Sequence, residues 1–197
     1  MNMSSFSLPA VALVLLTSLV LLEVLDWRFS IGALGLQYLG VFLLVALTWP
    51  IELAVIKLVT GWMCGAILGL TNVNYQGDVN AEQAWPTERL FRILTASLVV
   101  IAVLAFSPRV EQWIPSAAPP QIWGSFLLIG MGLLNVGITR ALFAAILGLM
   151  TVVSGFEIIY AAVEASTLVA GLLAVINLGI ALVGSYLMSI VPASETT

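Results

Sequence analysis

Long apolar runs, interrupted only by short polar segments, constrain this sequence more than any other feature. A helix needs about 20 largely apolar residues to cross the hydrocarbon core of a bilayer. Such runs follow one another along the chain and leave no stretch long enough for a separate soluble domain. We therefore predict an all-α, polytopic transmembrane bundle that forms one integral membrane domain over residues 1–197. Its seven predicted spans cover residues 8–25, 31–48, 51–71, 90–106, 122–138, 141–162 and 166–190.

The scarcity of charge supports this class and identifies the lipid bilayer as the main surroundings of the chain. Charged residues make up only 8% of the sequence, and apolar residues make up 61%. A soluble domain carries roughly 25% charged residues, because water must solvate its surface. The sequence also lacks a basic tract, so nucleic acid is not an expected partner.

The absence of histidine argues against cofactor chemistry by this chain alone. Imidazole is a common axial ligand of haem and a common ligand of zinc, and the sequence contains no histidine and one cysteine, Cys64. We therefore expect no haem, chlorin or metal to be bound by this chain. No phosphate-binding glycine loop and no catalytic triad is present either, so we expect no independent catalysis.

Two segments between the predicted spans are longer than the others. Residues 72–89 form the longest polar stretch and are predicted to be an ordered surface loop. Residues 107–121 contain four prolines together with Trp113. Proline and tryptophan are typical of an extended loop along the headgroup boundary, which is the structure that we predict for that segment.

The distribution of arginine predicts the orientation of the chain. If the N-terminus lies outside, Arg28, Arg89, Arg92 and Arg140 fall on the cytoplasmic side, and only Arg109 falls outside. Short cytoplasmic loops of membrane proteins are enriched in basic residues. We therefore predict an N-out, C-in topology.

Lys57 is the ionisable residue with the least obvious access to water. It lies six residues into the third predicted span, about 9 Å along a helix. A lysine can extend its ammonium group over that distance to the headgroups, so a snorkelling lysine is one interpretation. The alternative is a buried group that pairs with another helix or faces an ion path, since charge at membrane depth usually has a function.

Glu157 and Glu164 are the other candidates for an ion path. Their seven-residue separation places them on one helical face, provided that the sixth span continues through both residues. Membrane carboxylates are common elements of proton relays. For Glu164, a position in an exposed turn is the alternative. Gln37 and Asn177 lie within spans and are predicted to form hydrogen bonds between helices.

Small residues recur on the later predicted spans. Close packing of helices in lipid uses such residues to bring the backbones together. We expect the glycines to pack helices within the chain, with docking onto partner subunits as the alternative. The residues concerned are Gly130, Gly132, Gly137, Gly171, Gly179 and Gly184.

The second half of the chain resembles a family of bioenergetic membrane subunits. Residues 132–186 contain a span, an arginine turn (ITRAL, residues 138–142), an ILGL run at 146–149 and two further spans, as in subunit K of respiratory complex I and its counterpart in Mrp antiporters. The longer resemblance is to hydrogenase-4 component E, and it includes LLTSL at 15–19, WRF at 27–29 and AVIKL at 54–58. Lys57 is the charged position that this resemblance matches. The glutamates that this family carries after the arginine turn are replaced by Met150 and Val153.

The resemblance implies a membrane subunit of a proton- or cation-translocating assembly, packed beside larger antiporter-like subunits. Such a subunit belongs in a bacterial cytoplasmic membrane or in an energy-transducing internal membrane. Two alternatives are a purely structural or assembly subunit and a small stand-alone transporter. The sequence disfavours the transporter, because no pair of glycine- or proline-broken helices recurs in corresponding halves.

Overall fold

The structure is a computed structural model that describes residues 7–24, 26–74, 86–139 and 141–190. Those residues form seven α-helices and no strand: α1 (Ser7–Glu23), α2 (Trp27–Val45), α3 (Ile51–Asn74), α4 (Pro86–Trp113), α5 (Pro119–Ile138), α6 (Leu142–Val163) and α7 (Thr167–Ile190). Helices α2 to α7 are long and apolar enough to cross a membrane. The predicted all-α membrane bundle is therefore confirmed at this level.

Helix α1 is the shortest member of the bundle. Its 17 residues extend about 26 Å, slightly less than the hydrocarbon core of roughly 30 Å. It is largely apolar and packs along α2 and α5. It is the one described helix of the bundle shorter than 18 residues.

Helix α4 corrects the prediction for the proline-rich segment. Residues 107–113 are helical and extend α4 to Trp113, although an extended loop was predicted there. Pro108 lies inside the helix and removes one backbone donor. The Ser107 hydroxyl donates to the Val103 carbonyl at 2.7 Å, beside the carbonyl that Pro108 leaves without its usual partner.

The predicted polar loop at 72–89 is also shorter than expected. Helix α3 continues to Asn74 and α4 begins at Pro86, a residue type favoured in the first helical turn. Residues 75–85 lie outside the described residues. The start of α2 is also earlier than predicted, because the Asp26 side chain accepts the backbone N–H of Arg28 and caps the helix at Trp27.

The helices form two layers of three. In the first layer α2 lies between α1 and α3, and in the second layer α6 lies between α5 and α7. The layers are stacked so that α1 faces α5, α2 faces α6 and α3 faces α7, while α4 packs at the edge against α5 and α1. We call the contact between the two layers the seam.

Facing helices across the seam run in the same direction. Several side-chain hydrogen bonds across the seam connect residues that are 113, 114 or 115 positions apart in the sequence. They extend from the Trp49–Glu164 bond at one end of the bundle to the Thr71–Ser185 bond near the other. A nearly constant separation requires parallel, in-register helices. Apolar side chains from both layers fill the space around these bonds, including Leu44 and Ile158.

The short connections divide the bundle into two ends. The Trp49 end contains residues 46–50, 114–118 and 164–166, and the arginine end contains residues 24, 26, 139 and 141. Arg28, Arg89 and Arg92 lie on helices that begin at the arginine end, and Arg109 lies near the opposite end of α4. Arg140, the fourth basic residue of the predicted cytoplasmic set, lies outside the described residues.

Glycines bring α5 and α6 into backbone contact. A Cβ atom added at Gly132 would lie 2.7 Å from the Gly148 carbonyl oxygen, and one at Gly155 would lie 2.6 Å from the Ser125 carbonyl oxygen. Gly130 and Gly184 also pack closely, whereas Cβ atoms at the remaining predicted positions would meet nothing within 4 Å: Gly137, Gly171 and Gly179. The predicted packing role is therefore confirmed for some of these glycines and wrong for the others.

Candidate functional site

Lys57 and Glu157 form an ion pair in the interior of the bundle. The Lys57 Nζ atom lies 2.8 Å from the Glu157 Oε1 atom, and each side chain is only 1% exposed. Lys57 belongs to α3 and Glu157 to α6, so the pair joins the two layers across the seam. The ammonium group does not reach out to the headgroups, so the snorkelling interpretation of Lys57 does not describe this structure.

Two groups of α7 complete the surroundings of the pair. Lys57 Nζ donates to the Ala170 carbonyl oxygen at 3.2 Å, and Asn177 Nδ2 donates to Glu157 Oε1 at 2.8 Å. Three helices therefore meet at one carboxylate oxygen. Charge-assisted hydrogen bonds of this kind are about twice as strong as neutral ones, which is why they can hold an ion pair in an apolar interior.

The pair lies at one level, in the half of the bundle nearer the Trp49 end. Lys57 is six residues after the start of α3, and Glu157 is six residues before the end of α6. Six residues correspond to about 9 Å of helix. The pair is therefore well below the helix ends, at a depth where an unpaired charge costs several kcal/mol.

Some polar atoms around the pair have no partner among the described residues. Glu157 Oε2, Asn177 Oδ1 and the Tyr38 hydroxyl are buried and make no hydrogen bond there. Two of these three atoms are acceptors only, so what they lack is a hydrogen-bond donor. The site therefore contains two acceptor atoms that no donor among the described residues satisfies.

Tyr38 comes from α2 and lies within electrostatic range of the Glu157 carboxylate. Its ring packs flat against Gly61, one helical turn after Lys57, and any larger residue at Gly61 would overlap the ring. The neighbouring Ser154 hydroxyl donates to the Met150 carbonyl at 2.8 Å. The Ser154 hydroxyl oxygen lies beside the Tyr38 hydroxyl.

A second polar cluster crosses the seam deeper in the bundle. Gln37 Nε2 donates to the Ser18 Oγ atom at 2.9 Å, and the Thr151 hydroxyl donates to Gln37 Oε1 at 3.1 Å. The bonds of Gln37 and Asn177 confirm that both residues link helices. Ser18 and Thr151 also line a small cleft together with Leu21, Met131, Gly132 and Asn135.

Glu164 is not part of the buried site. Helix α6 ends at Val163, and Glu164 is its C-cap residue with an extended backbone and an exposed side chain. The condition for a shared helical face with Glu157, a helix continuing through both residues, is therefore not met. Its backbone carbonyl accepts the Trp49 indole N–H at 3.0 Å, which ties the turn before α3 to the end of α6.

The sequence did not reveal which groups would meet Lys57. Its partner is 100 residues away in the chain, and Asn177 joins it from a third helix. The only available signal was that each of these polar residues interrupts an apolar run. Within the described ranges no group of three or more acidic, cysteine or histidine side chains is placed to hold a metal ion.

Comparisons with known proteins identify no relative of this chain. No family model, no curated protein and no solved structure matches the chain.

Proposed function

We propose that this chain is a membrane subunit of a proton- or cation-translocating assembly, with Lys57 and Glu157 as its ionisable element. The buried Lys57–Glu157 contact at membrane depth is the observation that supports this proposal most directly. The resemblance of the sequence to complex I subunit K and hydrogenase-4 component E favours the same function. The partners would be larger antiporter-like membrane subunits.

Stability alone is a weak reason for such a pair. Removing two charges from water costs several kcal/mol per ion, and apolar side chains of similar volume are often as stable. Ionisable groups within membrane spans therefore point to function by default. Here the pair also connects three helices of an otherwise apolar chain, in which charged residues are only 8% of the sequence.

The contact has the chemistry of a proton-transfer element. A proton that moves from Lys57 Nζ to Glu157 Oε1 crosses a 2.8 Å hydrogen bond and converts the ion pair into a neutral amine and a neutral acid. The total charge is unchanged by that step. The unpaired Glu157 Oε2 atom is a second position at which a proton can be received or released.

The remaining parts of the proposal follow from the two ends of the bundle. We propose that all seven helices cross the membrane. The arginine end then lies in the cytoplasm and the N-terminus lies outside. The membrane is a bacterial cytoplasmic membrane or an energy-transducing internal membrane. Glu164, exposed at the Trp49 end, is then the candidate for the outer mouth of the path.

Cysteine labelling tests this topology. Single cysteines at Asn80 and Ser116, each in a Cys64→Ala background, are expected to react with a membrane-impermeant maleimide from opposite sides of oriented vesicles. Asn80 belongs to the segment between α3 and α4, and Ser116 belongs to the Trp49 end. Labelling of both positions from one side would contradict the topology.

Ion flux tests the role of the pair. We expect Lys57→Met to lower proton or cation flux in vesicles that contain the whole assembly, and Lys57→Arg to lower it less, because arginine keeps the positive charge. Thr151→Val is the matched control, since it removes a buried hydrogen bond across the seam without touching a charge. The amount of assembled complex is measured in parallel by co-purification.

A structural or assembly subunit is the second candidate, and one observation favours it. The pair ties α3, α6 and α7 together with its ammonium group enclosed in the bundle, as a purely structural crosslink would be. Loss of assembly with normal flux per assembled complex would support this candidate. Unchanged flux at normal assembly would refute the ion-path role.

A further inference from the structure

The Lys57–Glu157 pair lies at very different distances from the two ends of the bundle. Along α3, Lys57 is six residues from the start of the helix, about 9 Å, but 17 residues from its end at Asn74, about 26 Å. Along α6, Glu157 is six residues from the end of the helix and 15 residues from its start, about 22 Å. The shortest route from the pair to water therefore leads to the Trp49 end.

The longer route, towards the arginine end, is filled by large buried side chains. They belong to one apolar cluster, and each is at most 1% exposed: Leu34, Tyr38, Leu68, Leu147 and Met150. Water is excluded from a long region packed with such side chains, because their burial is favourable and leaves no polar partner for it. This side of the pair is well insulated by both length and bulk.

The shorter route contains small residues instead. Ala54 lies three residues before Lys57 on α3, and Ala161 lies four residues after Glu157 on α6, so both are between the pair and the Trp49 end. Ala170 lies beside them on α7. All three are at most 3% exposed, yet none has a side chain longer than a methyl group. The alanines alone form a thin cover for two charged groups.

Trp49 completes this cover. It is the largest buried side chain of the cluster that contains the three alanines, and it is 4% exposed. Its indole N–H donates to the Glu164 carbonyl at 3.0 Å, at the end of α6, where helix carbonyls lack a partner within the helix. The indole therefore shields a polar backbone group from water while satisfying its hydrogen bond.

The turn that includes Trp49 is fixed to the second layer. The Thr48 hydroxyl donates to the Ala161 carbonyl at 3.1 Å. The Gln121 Nε2 atom, from α5, donates to Thr48 Oγ1 at 3.1 Å and to the Leu44 carbonyl at 2.9 Å. These bonds, together with the indole bond, determine where the Trp49 ring lies relative to the alanines.

We propose that Trp49 is the barrier residue of this chain: its indole, over the alanine cluster, keeps the solution at the Trp49 end away from the Lys57–Glu157 pair. The barrier concerns access of water and stands whether or not the assembly translocates ions. Its meaning for transport rests on the proposed function. There, Trp49 separates the exposed Glu164 from the buried pair, and the arrangement seen here is closed between them.

Thiol labelling of the full-length chain in lipid nanodiscs tests the barrier. Ala54→Cys places a thiol between the pair and Trp49, and Ala181→Cys places one on the arginine side of the pair. Both alanines are 0% exposed, so the two positions are matched. All variants include Cys64→Ala, because Cys64 is the only native cysteine. The reagent is methanethiosulfonate ethylammonium, which is small, charged and excluded from lipid.

We expect slow labelling of both thiols while Trp49 is present. Trp49→Ala is expected to speed labelling at Ala54→Cys by at least about tenfold, because a large-to-small change in a core lowers the cost of local opening. Labelling at Ala181→Cys is expected to stay slow. Trp49→Leu, which retains an apolar side chain of intermediate size, is expected to give a smaller increase and serves if Trp49→Ala does not fold.

Trp62→Ala is the matched control for loss of an indole. Trp62 also donates its indole N–H to a backbone carbonyl, that of Gly35 at 3.2 Å, but its side chain is 55% exposed on the outside of α3. We expect Trp62→Ala to leave labelling at Ala54→Cys slow, because this indole does not lie over the alanine cluster.

Three outcomes would overturn the proposal. The first is fast labelling of Ala54→Cys while Trp49 is present, or no increase after its replacement. The second is an equal increase at Ala181→Cys, which would mean general loosening of the bundle. The third is an equal increase caused by Trp62→Ala. Ion flux enters none of these measurements, so failure here is distinguishable from failure of the ion-path proposal.

Discussion

Helix α6 meets two neighbours through opposite kinds of contact. Towards α5 it presents Gly148 and Gly155, and the two backbones touch. Towards α3 it presents Glu157, whose carboxylate binds the Lys57 ammonium at 2.8 Å. Lipid removes the hydrophobic force that would otherwise drive helices together, so packing and polar contacts must hold them. The glycine contact depends on shape alone, whereas the ion pair depends on protonation state.

The comparison teaches that one helix can be fixed on one side and switchable on the other. A glycine contact does not change with pH or with a bound partner. A buried ion pair is stable only while both groups are charged or both are neutral, because a single buried charge is costly. Variants that alter each contact separately can therefore break or sharpen this distinction.

The largest effect is expected for Glu157→Ala. This change leaves the Lys57 ammonium buried without its counter-charge, and removing one partner of a buried pair costs about 3–5 kcal/mol. We expect that loss in the free energy of unfolding, measured by SDS titration in mixed micelles. Lys57→Met/Glu157→Ala is the control, and it should recover most of the loss. A single variant no less stable than the double would show that the pair is not buried as described.

A smaller loss is expected for Gly155→Ala. The added Cβ atom would lie 2.6 Å from the Ser125 carbonyl oxygen, so the α5 and α6 backbones must separate. Overpacking of this kind costs about 1–3 kcal/mol. Gly171→Ala is the matched control, since its Cβ meets nothing within 4 Å and alanine favours the helix. Equal stability of the two variants would contradict the close contact between α5 and α6.

The smallest of the three effects is expected for Asn177→Leu. Leucine removes the amide that donates to Glu157 Oε1 but leaves the Lys57 contact in place. We expect a loss of roughly 1–2 kcal/mol, at the lower end of values for hydrogen bonds to charged groups. Thr71→Val, which affects a neutral contact across the seam, should cost less. The same unfolding titration measures both, and a reversed order would show that the Asn177 bond contributes less than that neutral contact.

Much of the fold could be predicted because it depends on local properties of the chain. Apolar runs of sufficient length gave the helices and their order, and the polar residues within them identified Gln37, Lys57, Glu157 and Asn177 as buried candidates. The errors occurred where a local signal did not decide the backbone conformation. Pro108 lies inside α4 and does not end it.

The candidate site was predictable only as separate residues. Lys57 was singled out by depth and Glu157 by its position in a span, yet their contact depends on the stacking of α3, α6 and α7. The predicted helical face shared by Glu157 and Glu164 does not form, because α6 ends at Val163. A helix end is decided within one turn, and an apolar pattern does not locate it to that precision.

The sequence by itself determined the all-helical membrane class, the order of the helices and the approximate depth of Lys57, because these follow from the hydropathy of consecutive residues and the rise of an α-helix. Only the tertiary structure decided that α1–α3 stack on α5–α7 in parallel, that Lys57 meets Glu157, and that Gly155 is in contact while Gly171 is open. The physical reason is that apolar helices in lipid have many faces of similar hydropathy. Close fit and the pairing of a few polar groups, often more than 100 residues apart, select among those faces.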